Sequence, residues 1–456
     1  MKCVVFPILL AIPLAWCSTV SSEVVLSGRV RAPLAVDSGQ SVPMTTILVF
    51  ASLDGPGTQA RGFRTWETEP VGWYQIKGEA GDYTMVFSNP AHFMRPIVVT
   101  DVRTRPGETI DRVVVPRFDF SHFPVAAWDD KPAGAYYQTF VAKGTSVTQV
   151  GFRVVHDGVD GQGPGKQDLA VSIHRHGPGT PDTWPQIGPV MPVLGVDGGG
   201  AKNYPWSAGW DSGEVPLKPG ETYAVCVKAA SPDGTFQAFW QSDGDERTDC
   251  YRVGPSAASG FQGRDLHLAV GSDGDGLVIP YNKRVHKQFT EFAGFRRTWS
   301  QTYVAKGQSL ASVILYAATG GTQPPMTRQR VAVRVRQGGP DGPVVGVEKI
   351  AFGNGFYTGD ASWGTFGVAF ARGEVPLAPG QTYAIEWQSL ETPATLRGFV
   401  NCKGQVSDEQ PGFNPYRKCS PDSYEPGTAY NGGQEAVDYD LDVQVIEYES
   451  ADGTEK

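Results

Sequence analysis

The chain has 456 residues, of which 40% are hydrophobic, and carries a net charge of −9. That length suggests roughly two to four domains with ordinary apolar cores. An acidic chain without a Lys/Arg cluster lacks the phosphate-neutralising surface of nucleic-acid binders, while 56 Gly and 35 Pro suit many short strands joined by turns.

The first predicted element is an export signal over residues 1–22. Lys2 supplies its positive end, and Val4 to Trp16 is an apolar stretch too short for an ordinary bilayer span. Val20 and Ser22 are small residues suited to cleavage before Glu23. Lipid attachment at Cys17 is the alternative, and the bulky Trp16 before it fits that pattern badly. No later segment is apolar and long enough to span a membrane. The expected location is therefore secreted, extracellular or at the cell surface.

Residues 24–116 alternate apolar and polar positions in short runs: VVLSGRVRAP, TTILVFASLDG, GWYQIKGEAGDYTMVFSNP, RPIVVTDV and TIDRVVVP. This period-2 pattern predicts six or seven strands in a small β-sandwich. SGRV at Ser27–Val30, GWYQI at Gly72–Ile76, GDYTMVFS at Gly81–Ser88 and the run Pro96–Val115 carry a resemblance. The unit resembles carboxypeptidase-regulatory-like, transthyretin-like domains, with residues 57–71 as an insertion. The resemblance implies a stalk or docking module and no catalysis.

The rest of the chain is predicted as a duplication. GEVPLKPGETYA at 213–224 returns as GEVPLAPGQTYA at 373–384, and YYQTFVAKGTSV from Tyr136 returns as WSQTYVAKGQSL from Trp299. The period is too long for a solenoid repeat. Two copies are expected, at 118–273 and 280–448, before a polar tail at 449–456. Each has eight to ten strands, and in PLxPGxTY the Pro and Gly set a turn that feeds a strand. The strand order resembles jelly-roll modules of secreted bacterial proteins, many of them carbohydrate-binding or galactose-binding-like. The expected class is all-β: three tandem β-sandwiches, one small and transthyretin-like or Ig-like and two duplicated and jelly-roll-like.

Sugar rings pack on exposed aromatic faces. Trp184 in GTPDTWPQIG, Tyr204, Trp206 and Trp210 in NYPWSAGWDSG, and Trp363 in GDASWGTFG are the candidate contacts. NYPWSAGWDSG reads as irregular rather than as a strand. The alternative is that these rings cap the sandwich or begin a buried strand, and Trp240 and Trp387, which alternate with apolar neighbours, are expected to be core or sheet-face rings. Asp273 and Asp275 in GSDGDG are candidates for structural calcium, against a plain solvated turn. His174 and His176 share a strand face. With Arg334 and Arg336 read at the corresponding positions of the second copy, they suggest a polar outer surface rather than a zinc site.

Beyond the signal, four cysteines pair most simply within each copy, Cys226 with Cys250 and Cys402 with Cys419, with free thiols as the alternative. No GxSxG, HExxH or P-loop occurs. The expected function is a secreted, non-catalytic protein that binds an extracellular polysaccharide or cell-surface glycan. The alternatives are a structural or adhesive surface component and a secreted polysaccharide-active enzyme.

Overall fold

The computed structural model describes residues 23–33, 41–44, 47–64, 71–89, 94–122, 127–128, 133–156, 167–196, 206–241, 250–253, 259–261, 265–281, 291–292, 297–320, 329–358, 361–391, 396–402, 427–436 and 439–449. Their regular elements are all strands, apart from one 3-10 turn at Pro181–Thr183. Among them no helix is long and apolar enough to cross a membrane. The all-β expectation holds.

The N-terminal sandwich contains β1 (Glu23–Pro33), β2 (Ser41–Pro43), β3 (Leu48–Leu53), β4 (Thr58–Arg64), β5 (Trp73–Glu79), β6 (Asp82–Ser88), β7 (Ile97–Arg103) and β8 (Thr109–Val114). β1 is central to one sheet, antiparallel to β2 and β5 and parallel to β8. The other sheet runs β4-β3-β6-β7. Between them lie Val24, Leu26, Val49, Ala51, Tyr74, Met85 and Phe87. Leu48 and Phe50 alternate with Val49 and Ala51, yet all four are buried. A strand covered on both faces reads as a continuous apolar run, as LVFA does here.

The next sandwich contains β9 (Phe120–His122), β10 (Ala127–Trp128), β11 (Ala135–Val141), β12 (Val147–Phe152), β13 (Val154–His156), β14 (Gln167–Arg175), β15 (Gln186–Val196), β16 (Trp206–Gly209), β17 (Thr222–Ala229), β18 (Phe236–Gln241), β19 (Cys250–Val253), β20 (Ser259–Phe261), β21 (Asp265–Leu266) and β22 (Leu268–Ser272). A six-stranded sheet, β15-β14-β17-β11-β19-β20, faces a four-stranded sheet, β16-β12-β22-β9.

The last contains β23 (Leu277–Tyr281), β24 (Glu291–Phe292), β25 (Thr298–Val304), β26 (Ser309–Gly320), β27 (Arg330–Gln337), β28 (Val344–Thr358), β29 (Ala361–Ala369), β30 (Thr382–Ser389), β31 (Arg397–Cys402), β32 (Ala429–Asn431), β33 (Gln434–Ala436), β34 (Tyr439–Leu441) and β35 (Val443–Tyr448). Its pairings, β28-β27-β30-β25-β32-β33 and β29-β26-β35-β23, repeat the same order strand for strand. The duplication in sequence is thus a duplication of topology.

The sandwiches are not beads on a string. β4 pairs in parallel with β28, Thr58–Ala60 against Lys349–Ala351. Residues 57–71, expected as an insertion, therefore supply the strand that joins the two sheets. Leu48, Phe50 and Val86 share one apolar cluster with Ala311, Ile314, Ala369, Ile446 and Tyr448. Two hydrogen bonds cross beside it, Ser88 Oγ to Gln444 Oε1 at 2.9 Å and Ala369 N to Ser52 Oγ at 2.7 Å.

Candidate functional site: the joints and outer faces of the sandwiches

The doubled phrase encodes one turn, built twice. Gly213 and Gly373 take φ 89° and 85°, and Gly220 and Gly380 take 86° and 82°. These are left-handed values that glycine reaches without steric cost. Gly213 N donates to Ser146 Oγ at 3.0 Å and Gly373 N to Ser309 Oγ at 2.9 Å. Lys218 N donates to Tyr223 Oη and Ala378 N to Tyr383 Oη, both at 2.9 Å. A second duplicated device lies deeper. Gln138 Nε2 donates to Asp265 while its Oε1 accepts Leu266 N, and Gln301 does the same with Asp440 and Leu441. The repeated residues are scaffold.

The tryptophans proposed as sugar contacts go mostly to the core. NYPWSAGWDSG, expected as irregular, contributes β16 over Trp206–Gly209. Trp206 and Trp210 are 1% and 0% exposed and belong to the main cluster of their sandwich. Trp206 pairs with Phe152, and Phe366 pairs with Leu315 at the matching place of the last sandwich. Phe366 and Phe370 are buried there in turn. The register thus equates Trp206 and Trp210 with Phe366 and Phe370, rather than with Trp363. The positions conserve a core ring, and neither Trp offers a face to a sugar. Trp363 lies in β29, but its side chain is outside the described residues, as is all of Tyr204. Trp387 is a core ring, as expected.

Trp184 is also buried, at 4% exposure, but on the other side of the six-stranded sheet. It follows the 3-10 turn and folds onto Tyr137 and Tyr251, edge-to-face at 6.2 and 5.4 Å. His176 stacks at its edge, 4.6 Å between ring centres. His174 locks the same loop. Its Nδ1 is 2.9 Å from Trp184 O, which can only accept, so Nδ1 carries the proton and Nε2 accepts from Ser172 Oγ at 2.9 Å. That leaves His174 no lone pair for a metal. Ser172 next bonds Cys226, whose thiol burial pushes up to about 11. Ser172 and His174 have the pairing of a nucleophile and its base, but Ser172 is buried and the neighbouring thiol stays protonated. The row fastens a loop to a sheet.

Cys226 and Cys250 are reduced thiols, not the disulfide expected from pairing within each copy. They flank β11, opposite Tyr137 and Gln138 respectively. Adjacent residues of a strand point to opposite faces. The two sulfurs therefore lie on opposite faces of the sheet with a strand between them, a geometry no disulfide spans. Cys402 ends β31 and Cys419 lies outside the described residues, so their pairing does too.

The matching outer face of the last sandwich is ionic. Cys226 is replaced by Glu386, whose Oε1 is 2.9 Å from Arg334 Nη1 and whose Oε2 is 3.0 Å from Arg336 Nε. Arg334 also reaches Glu348 and, at 2.8 Å, Gln388. The register sets Arg334 and Arg336 against Ser172 and His174, two residues earlier than the sequence comparison placed them.

Two buried ionic groups hold the joints, and sequence reasoning missed both. Arg95, just before β7, reaches Asp273 Oδ1 at 2.7 Å and Asp275 Oδ1 at 2.8 Å, and also bonds Leu277 O. Asp273 and Asp275, the calcium candidates of GSDGDG, are thus partners of a buried arginine. Burial pushes the Asp273 carboxyl up to about 6 despite that arginine. Ser212 Oγ donates to Asp273 at 3.1 Å, and Lys306 Nζ donates to Ser212 O at 2.6 Å. Arg95, the pair Ser212 and Asp273, and Lys306 come from distant stretches of the chain and meet at this point. At the other joint, fully buried Lys349 lies 2.8 Å from Glu374 Oε2 and 3.0 Å from Leu53 O. Glu374 also accepts Gly55 N. Lys349 did leave a signal: it falls in phase with core-facing Val345, Val347 and Ala351. A lysine in that phase needs a partner from another element. Among the described residues no three His, Cys, Asp or Glu side chains are grouped to hold a metal ion.

No protein-family model matches the chain, and a search of curated proteins gives no match.

Proposed function

We propose that this protein is a non-catalytic structural or adhesive component of an extracellular surface or matrix, a rigid spacer built from three fused sandwiches. The observation that carries the reading is the joint between β4 and β28, where an N-terminal sandwich continues the sheet of a sandwich almost 300 residues later. Sheet pairing, a shared apolar cluster and a buried Lys349–Glu374 pair make that joint a permanent contact rather than a flexible tether. The export-like N-terminus supports an extracellular site of action. The glycan-binding alternative is weakened because Trp184, Trp206 and Trp210 are buried.

Concentration-dependent assembly measured by light scattering and electron microscopy, beside a glycan array, tests the reading. Ordered assemblies without glycan retention are expected. A chain that stays monomeric overturns it, and retention by a defined glycan would then favour the binding role.

A further inference from the structure

A rigid spacer must connect to something, and an unpaired strand edge is the natural connector in an all-β molecule. Most edges here are guarded. β15 carries Pro189 and Pro192, which have no N–H to donate. β7 is distorted by Asp101 at φ 57°. β20 and β33 are three residues long, and β5 ends on exposed, charged Lys77 and Glu79.

β8 is different. Among the described residues it pairs only with β1, contains no proline, and carries Val113 at 64% exposure, with Val115 just beyond it at 57%. These are the two most exposed large apolar side chains of the described surface. The ladder phase says which amides are available. Val25 N donates to Glu108 O, so residues 108, 110, 112 and 114 turn toward β1. Thr109, Asp111 and Val113 turn their N–H and C=O outward.

We propose that β8 is a strand-pairing edge for a second copy of this chain, joined antiparallel about a two-fold axis through Val113. The inference rests on the assembly role above. A two-fold pairing of this kind keeps each side chain on its own face, so only registers centred on a residue are allowed. Centring on Asp111 or Arg112 sets like charges directly opposite each other, which is destabilising. Centring on Val113 sets Val113 against Val113, Asp111 against Val115 and Arg112 against Val114, so that no like charges meet and Val113 exchanges both its hydrogen bonds with its own copy. The N-terminal sandwich already joins a neighbouring sheet by its β4 edge, so β8 would extend the same mode of contact between chains.

Sedimentation of the full chain across a wide concentration range, with Val113→Lys and Val113→Pro, tests this. Val113 N–H faces away from β1, so proline there leaves the internal ladder intact. Wild type is expected to dimerise, and each variant to raise the dissociation constant about tenfold or more. Val190→Lys on the proline-guarded β15 is expected to change nothing. Association unaffected by Val113→Lys overturns the β8 edge but leaves the assembly role standing, whereas a wild-type chain that never associates removes both. Hydrogen exchange on wild type is independent of variant folding. The amides of Asp111 and Val113 slow with concentration if the edge pairs, and an unchanged rate overturns the proposal.

Discussion

The two jelly-roll-like sandwiches share strand order, turns and glutamine clasp, yet only the last one receives the N-terminal sandwich on its edge. The register between them shows why. Lys349 and Ile350 of β28 correspond to Met191 and Pro192 of β15, and Val347 to Pro189. β28 thus offers a full set of amides and a buried cation to Leu53 O and Glu374, where β15 offers two prolines and a thioether. Gly367 adds to the difference. A Cβ there would stand 2.6 Å from the Phe50 ring, so its absence seats Phe50, and the corresponding residue of the other copy is Ser207. Duplicated scaffolds diverge first where they touch something else. Here one edge became a joint and the other was closed.

Exchanging the residues that differ should break this distinction. Lys349→Met gives the joint the other copy's residue and leaves the largely covered Glu374 and the half-buried Asp54 without their cation. Removing one partner of a buried ion pair costs about 3–5 kcal/mol, so the midpoint of denaturant unfolding should fall accordingly, with the N-terminal sandwich becoming protease-sensitive first. Ile350→Pro moves the proline guard across. It removes an amide at the centre of the β4 pairing, and the loss of that ladder hydrogen bond costs about 1 kcal/mol. A β4–β28 joint that survives both substitutions would mean the apolar cluster around Phe50 holds it alone.

The predicted strands were legible because alternation and turn residues are local signals. VVLSGRVRAP, TIDRVVVP and the two GEVPL-to-strand passages all lie where their pattern put them. The joints were not legible, because they depend on which strands meet. TQARGFR looked like an insertion since nothing local distinguishes a strand whose partner lies in another sandwich. The aromatic residues misled for a related reason. Gly and Pro around Trp206 and Trp210 suggested a loop, but tertiary pairing with β12 makes the segment a strand and turns both rings inward. Pairing within a copy failed for Cys226 and Cys250 because a count of cysteines per copy carries no information about sheet faces, and these two lie on opposite faces.

Acidity sharpens the comparison at the Lys-Gly turns. Asp119 caps the turn at Lys143 and Gly144, and Glu447 the one at Lys306 and Gly307. Burial pushes Glu447 up to about 7, against the amides of Gly307 and Lys306 that favour its charge. A carboxyl raised in the fold takes its proton there before it does in the unfolded chain. Stability should therefore increase as pH falls through about 7 toward 4.5, the ordinary glutamate value. Asp273, raised to about 6, has the same sign. Melting followed from about pH 8 to about pH 5 should show a rise on the order of 2 kcal/mol. Glu447→Gln should flatten the part that belongs to the last sandwich.

The smallest difference lies inside the doubled phrase itself. Tyr223 and Tyr383 both accept the amide five residues before them, but Tyr223 also donates to Glu221 Oε2 at 3.1 Å, where the other copy has Gln381. Phenylalanine at either position keeps the buried ring and removes the hydroxyl, leaving a turn amide that solvent partly satisfies. Each change should cost about 1 kcal/mol, with Tyr223→Phe the larger by a few tenths because it also releases a carboxylate. Equal losses would show that the exposed Glu221 contact adds nothing measurable, as exposed polar contacts often do not. A loss confined to one copy would mean that the shared turn no longer does the same job in both, and that the joint at β28 has taken over part of it in the last sandwich.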